Sequence, residues 1–187
     1  MIPVGVRRGR DIVRPMAPKT RWFTLALAIS LPLDQLTKLW IVREFYYSEI
    51  RTVIPGWFDL THVRNPGGAF SFLADTDPIF RLSFFIGASL LAIVMLLVFF
   101  ARLPREASLT GLALGAVLGG AIGNVIDRIV YGEVIDWLDV HLTATYTWPT
   151  FNIADSCIVV GVIVLLVETF FEPPEGEGSG VESAEPS

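Results

Sequence analysis

The chain has 187 residues, about one domain's length, of which 52% are hydrophobic, and its mean hydropathy of +0.57 points to lipid rather than water as its solvent. The formal net charge of -5 averages two opposite ends, with Arg7, Arg8, Arg10, Arg14, Lys19 and Arg21 at the start and Glu168, Glu172, Glu175, Glu177, Glu182 and Glu185 at the finish. The single cysteine, Cys157, excludes an intrachain disulfide.

Crossing a hydrocarbon core of ~30 Å takes about 20 apolar residues. After the basic N-terminal segment 1–21, four stretches approach that length, 22–42, 79–101, 109–131 and 151–171, and four transmembrane helices are expected. The first is expected to be retained rather than cleaved as a signal peptide, since its apolar run is long, carries Asp34 and Lys38, and lacks a small-residue cleavage site. Lysines and arginines concentrate before the first helix and recur between the second and third as Arg102 and Arg105, while none falls in 132–150. Both termini are therefore expected to be cytoplasmic. Arg43, Arg51 and Arg64 in the connection 43–78 run against this, but the basic start outweighs them.

The two outer connections, 43–78 and 132–150, differ in character. The first contains TVIPGWFDLTHVRNPGGAFSFL, where β-branched and aromatic residues around Pro55-Gly56 and Pro66-Gly67-Gly68 indicate short strands and turns. The second contains GEVIDWLDV, which reads as an interfacial segment dipping into the head-group layer. The whole is an all-α membrane protein with a small extracytoplasmic β-containing loop structure. Residues 172–187, rich in Pro, Glu, Gly and Ser, have almost nothing to bury and are expected to form a disordered acidic cytoplasmic tail.

In the third stretch Gly111, Gly115, Gly119 and Gly123 recur every fourth residue, a stripe that lets helices approach closely in lipid. Asp127 is the next step of the stripe. Ionisable residues inside membrane helices are costly and mark function, so their depth matters. At ~1.5 Å per residue, Asp34 lies about 18 Å and Lys38 about 24 Å along the first helix, and Asn124 about 22 Å and Asp127 about 27 Å along the third. Arg128 follows directly. Asn152 and Asp155 open the fourth helix, which runs back inward, and Asp136 stands in the loop just before it. Three helices and two loops aim polar groups at one outer level.

Blander roles compete for each residue. Asp34 and Lys38 form an i,i+4 pair able to satisfy itself, and Asn152 and Asp155 could be caps of the fourth helix. Asp136 and Asp139 could be exposed loop carboxylates. Two carboxylates close together in a low-dielectric site, however, cannot both ionise, and such a pair can activate water with one member and polarise a carbonyl with the other. Asp155 is one candidate member; Asp136 and Asp127 remain level as the second. Other chemistries lack parts. The two histidines, His62 and His141, show no zinc-protease spacing, no G-x-S-x-G occurs, and no glycine loop precedes a lysine. Neither a metal nor another cofactor is expected, and the basic start reads as a topology signal rather than a nucleic-acid site.

DQLTK (34–38), NPGGAFSFL (65–73), GGAIGNVIDR (119–128), VIDW (134–137) and FNIAD (151–155), in this order over four helices, resemble the bacterial lipoprotein signal peptidases, the signal peptidase II family, over about residues 22–171. The resemblance implies an intramembrane aspartyl endopeptidase of the inner membrane that cleaves diacylglyceryl-modified prolipoproteins on the N-terminal side of the lipidated cysteine. It places the catalytic aspartates at Asp136 and Asp155. It also implies that Asp34, Lys38, Asn65, Gly67, Asn124, Asp127, Arg128 and Asn152 brace the site or contact substrate and the antibiotic globomycin. The chain departs from many relatives at Pro66 and Gly68, and its acidic tail lies outside the family pattern. From the residues alone, a small proton- or ion-coupled transporter and a non-catalytic scaffold are the other readings. A relay would need ionisable groups at several depths, whereas the inner halves of these helices carry few, and Arg81 fits snorkelling near an outer end.

Overall fold

The computed structural model describes residues 16–67, 73, 75–143 and 145–171. The acidic tail, most of the basic start and Gly68 lie outside the described residues. Four long apolar helices are α1 (Pro18–Glu44), α2 (Pro78–Arg102), α3 (Ser108–Tyr131) and α4 (Ile153–Phe171), each long and apolar enough to cross a membrane. A helix satisfies its own backbone, which is the requirement lipid imposes. The boundaries differ from the hydropathy reading by more than one residue at both ends of α1, which runs on to Glu44, and at the start of α4. α1 begins at Pro18, so Lys19 and Arg21 stand in its first turns rather than before it; proline's fixed φ suits that position and nothing breaks the helix before Trp22. α4 begins at Ile153 because Phe151 is engaged with a strand and Asn152 caps the helix.

α3 is the hub. Its glycine stripe faces α1: a Cβ on Gly111 or Gly115 would run into the backbone of Lys19 or Phe23, and one on Gly119 or Gly123 into the side chains of Ser30 and Asp34. Gly120 meets the Ala154 carbonyl of α4, and Gly161 of α4 sits against Val117 and the Ala113 carbonyl of α3. α3 is thus held between α1 and α4 by missing side chains, the close approach by which helices associate in lipid. α2 also packs on α3 but buries none of its residues. Its C-terminal carbonyls, Phe100 O and Leu103 O, accept from Lys19 Nζ.

The opposite end carries an antiparallel sheet of four strands, β1 (Ile50–Ile54), β2 (Phe58–Asn65), β3 (Val134–Thr143) and β4 (Tyr146–Thr147), in the order β1-β2-β3-β4. The sheet takes up the stretch GEVIDWLDV, whose secondary structure the sequence left open. From Val134 on it forms a strand in the middle of the sheet, with Val63 opposite Asp136 and Asp59 opposite Asp139. Its Ile135 and Trp137 bury against Ile41 and Phe45 at the end of α1. That small core ties the sheet to the bundle.

Candidate active site

Three local devices bring the polar residues together. α3 ends at Gly132, whose φ of 78° gives the left-handed turn that stops a helix, and Asp127 Oδ2 then accepts from the backbone N–H of Ile135 at 3.1 Å. The start of β3 is thereby anchored next to the residue that follows, Asp136. Further on, Leu138 exchanges backbone hydrogen bonds with Phe151, and Phe151 O also accepts from Trp137 N–H. This clamps the entry of α4 against β3. Finally, Asn152 and Asp155 form a capping box: Asn152 Oδ1 accepts from Asp155 N–H at 3.0 Å and Asp155 Oδ2 from Asn152 N–H at 3.2 Å.

The cap reading of Asn152 and Asp155 is therefore correct, and it does not exclude a further role. Asn152, fully buried, uses its Nδ2 to donate to Asp136 Oδ1 at 2.7 Å and to Ile135 O at 3.2 Å. Asp136 Oδ2 accepts from Asn65 Nδ2 at 3.0 Å. Asn65 is fixed in turn, its Oδ1 accepting from Gly67 N–H at 3.0 Å. Asp155 Oδ1 accepts from Asn124 Nδ2 at 2.9 Å. Each carboxylate is thus held by two N–H donors from different elements. Asp136 is 2% exposed, so it is not the exposed loop carboxylate that its sequence position allowed. Burial, and then the charge of Asp155, push its carboxyl up to about 7.

Both carboxylates line one cavity of about 590 Å³, together with Asn65, Gly67, Asn124 and Arg128. Trp148–Phe151 border it on one side and Ile158, Val159 and Val160 of α4 continue it along the helix. Val159 and Val160 are also exposed on the outer surface of the bundle. Arg128 donates to Gly67 O and Asn124 O, each at 3.3 Å, and its guanidinium lies 4.9 Å from the Phe85 ring centroid. It orders backbone carbonyls of α3 and of the segment after β2.

Asp127 stands outside the cavity lining. With Asp34 it surrounds Lys38, whose ammonium is 2.8 Å from Asp127 Oδ2, 2.9 Å from Asp34 Oδ2 and 2.9 Å from Asn124 Oδ1. Three N–H groups meet three acceptors. The Asp34–Lys38 pair is not self-contained, because it reaches across to α3 and, through Asp34 Oδ1, takes the Ala154 N–H of α4 at 2.9 Å. One residue was missed in the sequence. Gln35 Nε2 donates to Asp34 Oδ2 at 3.1 Å and to Gly123 O and Asp127 Oδ1 at 3.2 Å each. It lay in DQLTK, but a neutral amide gives no depth or charge signal to find it by.

Apart from the cavity, Asp59, Asp139 and His141 bring ligand-type atoms within 4.8 Å of one another. His141 Nε2 is 2.8 Å from Asp59 Oδ2 and its Nδ1 is 2.8 Å from Thr147 Oγ1. Asp139 is half-buried rather than exposed.

Long apolar helices around a buried polar cluster, closed by a small sheet, describe a membrane protein with a polar site at one end, and the solved structures similar to it are membrane enzymes. A bacterial membrane enzyme determined by the in meso method at 2.3 Å matches with a TM-score of 0.71 and 28% identity, over 83% of this chain and 94% of that one. A second, at 1.9 Å, matches equally, over 81% and 94%. The family model of signal peptidase (SPase) II matches residues 26–171. Lipoprotein signal peptidases of Geobacter sulfurreducens and Syntrophotalea carbinolica are each 46% identical, over 84% and 79% of this chain and 96% and 89% of theirs. That of Geobacter metallireducens is 42% identical over 82% of this chain and 93% of its own. The chain belongs to the signal peptidase II family and is a protease of that type.

Proposed function

We propose that this chain is an intramembrane aspartyl endopeptidase that removes the signal peptide of diacylglyceryl-modified prolipoproteins, with Asp136 and Asp155 as its catalytic pair. The observation that carries the reading is the shared cavity: of the carboxylates brought together here, these two line it, while Asp34 and Asp127 are spent on Lys38 and on backbone N–H groups. The four helices cross the inner membrane with both termini cytoplasmic, and connections 43–78 and 132–150 face outward. Lys19, Arg21, Arg102 and Arg105 gather at the end away from the sheet, as the positive-inside rule requires.

In the proposed reaction Asp155, at the positive end of the α4 dipole, takes a proton from a water as its oxygen attacks the scissile carbonyl carbon. Asp136, near the midpoint of its titration at neutral pH, gives its proton to the carbonyl oxygen. On collapse of the tetrahedral intermediate the C–N bond breaks, Asp155 passes its proton to the leaving amine, and Asp136 recovers one from the diol. The pair ends with the proton it began with. The acyl chains and signal peptide lie along Ile158, Val159 and Val160, where the cavity meets lipid, and that binding positions the peptide for attack. Globomycin is expected to compete for the same cavity.

The test is cleavage of a diacylglyceryl-modified prolipoprotein by purified protein, comparing Asp136→Asn, Asp155→Asn and Asp127→Asn at equal folded amounts. The first two should abolish cleavage and the third only weaken it. Retained cleavage by either of the first two would sink the assignment. A coupled transporter is not favoured, because the charged side chains buried between the helices, Asp34, Lys38 and Asp127, all stand toward the sheet end.

A further inference from the structure

A second depression, of about 400 Å³, opens on the sheet beside the cavity. It is lined by Ser48 and Ile50 near β1, Thr61 and Val63 of β2, Asp139 of β3 and Thr147 of β4, and it ends against Trp148, Pro149 and Thr150. Those last three residues also border the cavity. Val63 is the cross-strand partner of Asp136 itself. The two spaces are therefore neighbours across one short segment and one strand pair.

The cavity continues along the aliphatic residues of α4, whereas the depression sets hydroxyls and one carboxylate among Ile50, Val63, Trp148 and Pro149. Asp139 faces Asp59 directly across β2 and β3, an unfavourable like-charge pair. His141 hydrogen-bonds Asp59, which holds the Asp59 carboxyl below its usual range, while burial pushes that of Asp139 up. The negative potential at this end of the depression is thus met by one imidazole and, among the described contacts of Asp139, by no cation.

A peptide cut at the cavity has an apolar side and a water-facing side. We infer that the depression receives the residues that follow the lipidated cysteine, and that it favours a basic side chain there through Asp139. The inference rests on the proposed peptidase activity, since it names the part of the substrate that the neighbouring surface reads. A lysine or arginine stem packs on Ile50, Val63 and Trp148 while its head reaches the carboxylate. Backbone N–H groups of the same segment meet the hydroxyls of Thr147 and Thr150.

The experiment is cleavage of synthetic diacylglyceryl-peptides that carry Lys, Ala or Glu in turn at successive positions after the cysteine. At one position the unaltered protein should prefer Lys over Glu by about two- to fivefold in kcat/KM, the scale of one partly screened ion pair, and the preference should shrink at high salt. Asp139→Asn should flatten the Lys to Glu ratio. Asp139→Lys should invert it, a gain that damage to the sheet cannot produce. A flat profile in the unaltered protein, or a preference that survives Asp139→Lys, overturns the inference. If the unaltered protein cleaves none of the peptides, the peptidase reading fails and this one with it; cleavage with a flat profile removes the depression alone.

Discussion

Replacing Lys38 by methionine tests the site's foundation. Lys38 is 2% exposed, and its ammonium is shared by Asp34, Asp127 and Asn124. Methionine fills much the same space, so the cavity term is small and the loss is electrostatic. Removing one partner from a buried ion pair costs about 3–5 kcal/mol, and here one cation serves two carboxylates. At about 2–4 °C per kcal/mol for a chain of this length, the melting temperature should fall by about 6–20 °C. The damage also reaches the proposed catalytic pair, because Asn124 loses its 2.9 Å donor and is freer to turn away from Asp155. The assay is thermal unfolding in detergent micelles alongside peptide cleavage. Adding Asp127→Asn to Lys38→Met should restore part of the stability, since one of the two stranded charges is gone. A melting temperature within about 2 °C of the unaltered protein, or a double variant weaker than the single, would refute the argument.

The remaining predictions follow from individual contacts. Asp136 titrates at about 7 against an ordinary 3.8, so the folded state holds a proton that the unfolded chain releases; that stabilisation is complete below about pH 4 and is lost as pH rises through 7. Thermal unfolding should show this decline and Asp136→Asn should flatten it, while cleavage by the unaltered protein falls on the alkaline side of 7; unchanged slopes would contradict the assignment. Gly115→Ala should be far more damaging than Gly132→Ala. A Cβ at 115 overlaps the Phe23 carbonyl, whereas one at 132 meets nothing within 4 Å and suffers only the strain of φ 78°, about 1 kcal/mol; comparable melting temperatures for the two would count against the packing stripe. Asn152→Ala should cost about 1 kcal/mol as a lost cap and about 1–3 kcal/mol more for the buried acceptors it leaves unpaired, and reduce kcat steeply, because the same side chain holds Asp136 at 2.7 Å; a stability loss with intact kcat would reduce Asn152 to a structural residue.

The helices were legible because lipid demands long apolar runs, and the glycine stripe because α-helical spacing is local. Its continuation to Asp127 predicted the right face, the one pressed against α1. What sequence could not supply were pairings between distant segments. β3 pairs with β2 about 70 residues earlier, and nothing within GEVIDWLDV distinguishes an amphipathic interfacial stretch from a strand. The same blindness left Asp127 and Asp136 level. Both are acidic and both lie near the sheet end of the bundle; they part company only because Lys38, Gln35 and the Ile135 N–H claim Asp127, and two of those three claims cross between elements remote in sequence.

The site also gives a reason for a helix cap and a proposed catalytic residue to coincide at Asp155. A helix that starts inside a membrane protein exposes N–H groups that water cannot satisfy, and each must find an acceptor. α4 meets this with Asp34 on Ala154 and Asn152 on Asp155, so polar groups are required at that depth whatever the protein does. Once there, they set an asymmetry. Asp155 belongs to a helix start whose dipole favours negative charge, while Asp136 belongs to a strand, with no helix start behind it, and is buried between two asparagine amides. Unlike environments for two neighbouring carboxyls are what an acid–base pair needs. In the proposed reaction the roles are thus divided by secondary structure: the helix start holds the charge, and the strand holds the proton.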